Sequence, residues 1–207
     1  MESIFLIAII IFSVVIHEVA HGYVAYKLGD MTAYYQGRLT LNPIKHLDMF
    51  GSIILPALLV ISGTGFLFGW AKPVPYNPNN IRGKKGALFL VSAAGIFVNL
   101  TVAVVFALVL KLFAIIGLAS IAITYIFSSI IMINIILAVF NLMPIPPLDG
   151  SKILASFFGA RGEMILYKFE KYSFLLVIAF VIFLWPFISS FVRTATIINI
   201  LFSYITP

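Results

Sequence analysis

The chain has 207 residues, 62% hydrophobic and only 10% charged, with a mean hydropathy of +1.15 and a formal net charge of +6. Soluble domains are roughly half apolar and about a quarter charged, so a water-soluble globule is excluded and an integral membrane protein is indicated. The absence of cysteine excludes disulfides and thiolate-held metal, and basic residues spread through short loops point to cytoplasmic anchoring rather than nucleic acid.

The first apolar run, Ile4 to Leu28, is long enough to span roughly 30 Å of hydrocarbon as a helix. Met1-Glu2-Ser3 lacks the basic region of a signal peptide, so this run is expected to be retained. Within it lies His17-Glu18-Val19-Ala20-His21. Residues four apart share a helix face, so His17 and His21 can offer two imidazole nitrogens to one ion. Glu18 is placed to act as general base, the pattern H-E-x-x-H. Lys27, Arg38 and Lys45 follow the run and Glu2 precedes it, so the motif is expected toward the cytoplasm.

Ala33 to Leu41 reads as a short β-hairpin with a turn at Gly37, stopped by Asn42-Pro43. Extended chain at membrane depth needs cover from protein or a water-filled cavity, which would put the hairpin beside the metal site. Its strand around Leu39 would then pair with an unwound substrate. His46 reads as a loop histidine, and Tyr34, Tyr35 and Trp70 as interfacial anchors. Pro56 and Gly63-Thr64-Gly65 interrupt the next apolar stretch, for which a helix from Ile44 to Ile61 and an extended return are expected.

Ala87 to Leu112 and Ala119 to Leu142 read as spans joined near Gly117. Asn99 follows Ala93-Ala94-Gly95, whose small side chains permit close helix contact; it either supports the site or bridges helices. Three prolines then interrupt Asn141-Leu142-Met143-Pro144-Ile145-Pro146-Pro147-Leu148-Asp149-Gly150. Ser151 to Lys171 reads as interfacial, Phe174 to Val192 as the last span, and Ala195 to Ile205 as a half-span or surface helix. The expected architecture is an all-α polytopic membrane protein of about five to six spanning or partial-span helices with a small membrane-associated β-hairpin. Residues 1–158 would form the core and 159–207 a C-terminal interfacial helix and transmembrane helix.

Zinc sites of this kind need a third protein ligand and keep one position open for water. Asp149 alone among the acidic residues follows a span inside an apolar stretch, where a carboxylate is costly unless paired or bound to a cation. It is the candidate third ligand with His17 and His21. Asn141 would donate to the oxyanion of a tetrahedral intermediate, folded back by the proline-broken segment.

At these residues the sequence resembles the site-2 proteases, the zinc intramembrane metalloproteases. The resemblance rests on His17-Glu18-x-x-His21 in a spanning helix, on Asn141-x-x-Pro144 through Asp149-Gly150, and on Phe68-Gly69-Trp70-Ala71-Lys72-Pro73-Val74-Pro75. It covers most of Ile4 to Phe158. It implies one zinc ion held by His17, His21 and Asp149, Glu18 as catalytic base, and Asn141 at the oxyanion. It also implies cleavage of single-span membrane proteins within the bilayer, by a multi-pass protein of the cell membrane. The family often has Gly-Pro-x-x-Asn where this chain has Gly95-Ile96-Phe97-Val98-Asn99. PDZ and CBS domains, common in relatives, have no counterpart in this sequence. A divalent-metal transporter and a catalytically silent helix-binding relative are the competing functions. Glu18 argues against both, since neither requires a glutamate that is not a ligand.

Overall fold

The computed structural model describes residues 2–54, 57, 58, 61, 71–82 and 84–205. Helix α1 (Glu2–Lys27) is apolar over most of its length, with the polar residues His17, Glu18 and His21 in its second half. It ends in a Schellman closure: Gly29 takes φ 105°, Asp30 N–H reaches the Ala25 carbonyl at 3.0 Å, and Gly29 N–H reaches Tyr26 at 3.0 Å. That closure turns the chain sharply where the apolar run stops.

The next element is a single helical turn, α2 (Thr32–Tyr35), and among the described residues there is no strand. The expected hairpin is therefore corrected. The Asp30 carboxylate accepts the Thr32 N–H at 3.1 Å and the Thr32 hydroxyl at 2.5 Å, which starts a turn rather than an extended run. Gly37 does turn the chain, at φ 61°, but it closes α2, with Arg38 N–H on the Ala33 carbonyl at 2.9 Å. Leu39 and Thr40 form a bend, so the proposed substrate-pairing strand at Leu39 falls with the hairpin.

A 3-10 turn (Pro43–His46) and a π-helical turn (Met49–Ile54) occupy the first half of the expected 44–61 helix. Asn42 opens the 3-10 turn by accepting the Ile44 N–H at 3.1 Å. The Gly63-Thr64-Gly65 return and Phe68-Gly69-Trp70 lie outside the described residues.

Helix α3 (Lys84–Ile115) and helix α4 (Ile121–Leu142) are the other long apolar helices. Gly117 at φ 73° turns between them, and the Ser120 hydroxyl caps α4 by accepting the Ile123 N–H at 3.3 Å. Helices α1, α3 and α4 pack together. One apolar cluster joins Ala25, Ile81, Ala87 and Val91; a second joins Ala103, Leu110 and Ile131, with Phe106 edge-on to Phe127 at 5.2 Å. Their outer faces expose Ile4, Phe12, Leu100, Leu108 and Ile121, as lipid-facing helices must.

After the prolines come α5 (Asp149–Phe157) and α6 (Ala160–Glu170), so the Ser151–Lys171 segment is two short helices broken at Gly159, φ 56°. Helix α7 (Ser173–Phe183) and helix α8 (Trp185–Ile205) follow. The expected straight span over Phe174–Val192 is instead bent by 56° at Leu184. Pro186 explains the break: it has no N–H to continue the ladder, and its ring collides with the carbonyl one turn earlier. Phe140 of α4 packs edge-on against Trp185 at 4.9 Å and fixes the bend to the bundle. Among the described residues, three helices (Ile4–Lys27, Gly86–Ile115, Ile121–Leu142) are long and apolar enough to cross a membrane, or four with the bent pair. The chain is a membrane protein built mainly of helices.

Candidate metal centre

His17 and His21 share one face of α1, with ring centroids 4.7 Å apart and ring planes at 80°. Asp149 is the first residue of α5, and its Oδ2 lies 3.0 Å from Nε2 of both histidines. All three side chains are buried, and their donor atoms lie within 4.8 Å of one another. A tetrahedral zinc with bonds of about 2.1 Å separates its ligand atoms by roughly 3.4 Å. The constellation therefore fits one ion with two nitrogen donors and one oxygen donor, leaving a fourth position for water.

Two glycines make the convergence possible. A Cβ on Gly95 of α3 would stand 2.5 Å from His17 Cε1, His17 Nε2 and His21 Nε2, so only glycine lets α3 approach the imidazole pair. A Cβ on Gly150 would run into the Leu142 and Met143 carbonyls, so glycine there lets α5 start hard against the end of α4. That contact delivers Asp149 to the histidines after the proline run.

The orientation of each ligand has its own support. His21 Nδ1–H donates to the Val91 carbonyl at 2.6 Å, which leaves the Nε2 lone pair for the ion. The other Asp149 oxygen faces Lys152 Nζ at 3.5 Å. Burial works against the Asp149 charge, but the two histidines and Lys152 hold its carboxyl well below the usual carboxylate range.

Glu18 is half-buried, and its Oε2 accepts the Val74 N–H at 2.9 Å. Val74 belongs to an irregular strap, residues 71–77, laid along the C-terminal part of α1 between Glu18 and Asp30. Pro73 and Pro75 flank it, so of residues 73–75 only Val74 has an N–H to give. The strap is held along its length. Lys72 N–H bonds the His46 carbonyl at 2.9 Å, and Arg38 Nη2 donates to the Lys72 and Pro73 carbonyls at 2.8 and 3.3 Å. Asp30 accepts the Asn77 N–H at 2.6 Å and the Asn80 amide at 3.0 Å. Gly22 gives Val74 its seat: a Cβ there would be 2.5 Å from Val74 Cγ1.

His46 is fully buried, donates Nε2–H to the Thr40 carbonyl at 2.8 Å, and has no partner at Nδ1. Asn141 lies in the last turn of α4, before the proline-broken segment expected to fold it back, and its amide donates to Leu137 at 3.0 Å. Asn99 is completely buried in α3, with neither amide atom hydrogen-bonded. Sequence reasoning missed Asp30, Arg38 and Asn134. Asn134 donates to the Ser13 hydroxyl at 3.0 Å, one turn from His17. An amide amid an apolar span was the available signal. Asp30 and Arg38 look like ordinary loop charges until the strap is seen.

Peptidase family M50 matches residues 111–184, which include Asp149. A Bacillus subtilis (strain 168) protein named as a zinc metalloprotease, YwhC, is 39% identical over 199 residues, covering 90% of this chain and 86% of the relative. A Mycolicibacterium smegmatis protein named as a zinc metalloprotease, Rip2, is 30% identical over 171 residues, covering 82% of this chain and 63% of the relative. No solved structure matches the chain.

Proposed function

The chain belongs to peptidase family M50, the site-2 protease family of zinc metalloproteases, and from this premise we propose that it cuts peptide bonds in or near the transmembrane segments of single-span membrane proteins. In this reading His17, His21 and Asp149 hold one zinc ion, Glu18 is the general base and Asn141 assists at the oxyanion. The observation that carries it is the meeting of three buried ligands from a spanning helix and from the turn that follows another. Among the described residues this is the one group placed to hold an ion, which suits a fixed catalytic site better than a transport path.

Zinc, when bound, supplies Lewis acidity that polarises water and the scissile carbonyl. Glu18 takes the proton of the attacking water and passes it to the leaving amine. The Val74 N–H fixes one Glu18 oxygen and leaves the other for that proton. Asn141 must release Leu137 and turn its amide toward the carbonyl oxygen of the substrate. A helical substrate hides its peptide bonds within its own ladder, so it must unwind locally before attack. Lys27, Arg38 and Lys72 on the strap side favour a site facing the cytoplasm.

The test is cleavage of a panel of single-span substrates in proteoliposomes, with zinc content measured in parallel. Glu18→Gln should retain zinc and lose about 100- to 10,000-fold in rate. Equal cleavage by parent and variant would remove Glu18 from the mechanism, and cleavage restricted to soluble peptides would remove the intramembrane substrate.

A further inference from the structure

The face of α3 that meets the histidines repeats every four residues: Val91, Gly95, Asn99. Val91 supports His21, and Gly95 touches both His21 and His17. Moving toward the C-terminus of α3 therefore moves toward the N-terminus of α1, so the two helices run antiparallel here. One more turn, about 6 Å along the axis, brings Asn99 level with the step from His17 to Ser13. At that level two buried groups want partners. His17 Nδ1 is buried without a hydrogen bond, and so are both amide atoms of Asn99. Asn134 closes the third side, donating to Ser13 while its own Oδ1 is unpartnered.

These groups form a matched set of donors and acceptors. We propose that Asn99 is a positioning residue of the metal centre, its side-chain oxygen taking the Nδ1–H of His17 through one buried water, since no direct hydrogen bond joins the two. Neither the Asn99 amide nitrogen nor Asn134 Oδ1 has a direct partner, so a buried water between them completes the set, and the Asn134 amide continues it to Ser13. The Val91 carbonyl does this for His21 from the same face of the same helix. Without such an acceptor nothing selects the His17 tautomer whose Nε2 lone pair faces the ion. Metal-held histidines generally use the second ring nitrogen in this way. A leucine would fill the space but leave His17 Nδ1–H stranded in an apolar bundle, at the cost any unpaired buried donor carries.

The inference rests on the zinc assignment above, and the experiment separates the two. Zinc affinity is measured by chelator competition on the full chain in nanodiscs for parent, Asn99→Leu and Asn99→Asp. The chain has three histidines, so selective 15N labelling resolves the His17 ring and reports its tautomer and the hydrogen bond at Nδ1. Asn99→Leu should weaken zinc about 10- to 100-fold and disturb the His17 tautomer, while Asn99→Asp, which keeps an acceptor, binds at least as well as the parent. Asn99→Leu with parental affinity and an unchanged His17 signal would overturn the role and leave a helix-bridging amide. If Asn99→Leu does not fold, the parent spectrum still decides: a His17 Nδ1–H with no hydrogen bond overturns the proposal. A parent that binds no stoichiometric zinc overturns both readings.

Discussion

The metal centre and the strap over it are built on opposite principles. His17, His21, Val91, Gly95 and Asn99 ride on long regular helices, and each is placed by a four-residue step along a face. The strap at residues 71–77 has no periodic structure and is held by groups from elsewhere: the side chains of Asp30, Arg38 and Glu18 and the His46 carbonyl. Helix rigidity suits ligands that must converge on one point. The tethered strap presents the Val74 N–H to the base from a segment placed by side-chain and backbone tethers rather than by helical periodicity. Perturbing the helix side should therefore change zinc binding, and perturbing the strap should change cleavage with zinc intact.

The largest separation is expected at Gly95→Ala. Alanine favours helix over glycine by about 1 kcal/mol, which offsets part of an overpacking cost of about 1–3 kcal/mol, so the fold should survive with Tm unchanged or modestly lowered. The new methyl group collides with both imidazoles, and zinc affinity should fall by more than the roughly 100-fold expected for losing an outer partner. Chelator competition alongside thermal unfolding measures both. Unchanged affinity would mean that α3 and the histidines are not in contact.

On the strap side, Val74→Pro removes the N–H that Glu18 Oε2 accepts. A hydrogen bond to a charged group is worth about 1.5–3 kcal/mol, so the cleavage rate should fall about 10- to 100-fold with zinc content unchanged. Arg38→Leu releases the Lys72 and Pro73 carbonyls and should act in the same direction less strongly, since Asp30 and His46 still hold the segment. Loss of zinc in either variant would erase the division between the two regions.

The smallest effect concerns acid. Burial works against the Asp30 charge, but the Thr32 hydroxyl, the Asn77 N–H, the Asn80 amide and the Thr32 N–H hold its carboxyl below the ordinary value. A depressed folded value means that its stabilisation is present above the unfolded value, about 3.9, and is lost as pH falls through the folded one. Tm should therefore drop below about pH 4, and Asp30→Asn should lower Tm near neutrality and flatten that drop. A parallel acid profile in parent and variant would show that Asp30 does not anchor the strap through its charge.

The same division explains what could be read from the residues alone. The spans over Ile4–Leu28, Ala87–Leu112 and Ala119–Leu142 and the pairing of His17 with His21 follow from local periodicity. Asp149 stood out as a lone carboxylate in apolar surroundings. The hairpin misled because the turn at Gly37 is real, but the Asp30 turn, set by the end of α1, makes the residues before it a helical turn rather than a strand. The break at Leu184 is marked in the sequence by Pro186, which the reading of Phe174–Val192 as one span does not use. Asn141 was tied to the proline run, but α4 continues regularly through Leu142, so the amide meets its own helix.

X-ray absorption at the zinc edge, on the purified full chain loaded with one equivalent of zinc, tests the central claim most directly. The account predicts two imidazole nitrogens and light oxygen donors at about 2.0–2.2 Å, with one imidazole lost in His21→Ala and the imidazole pair kept in Asp149→Ala at weaker affinity. A shell with no imidazole, or one that His21→Ala leaves unchanged, would contradict it.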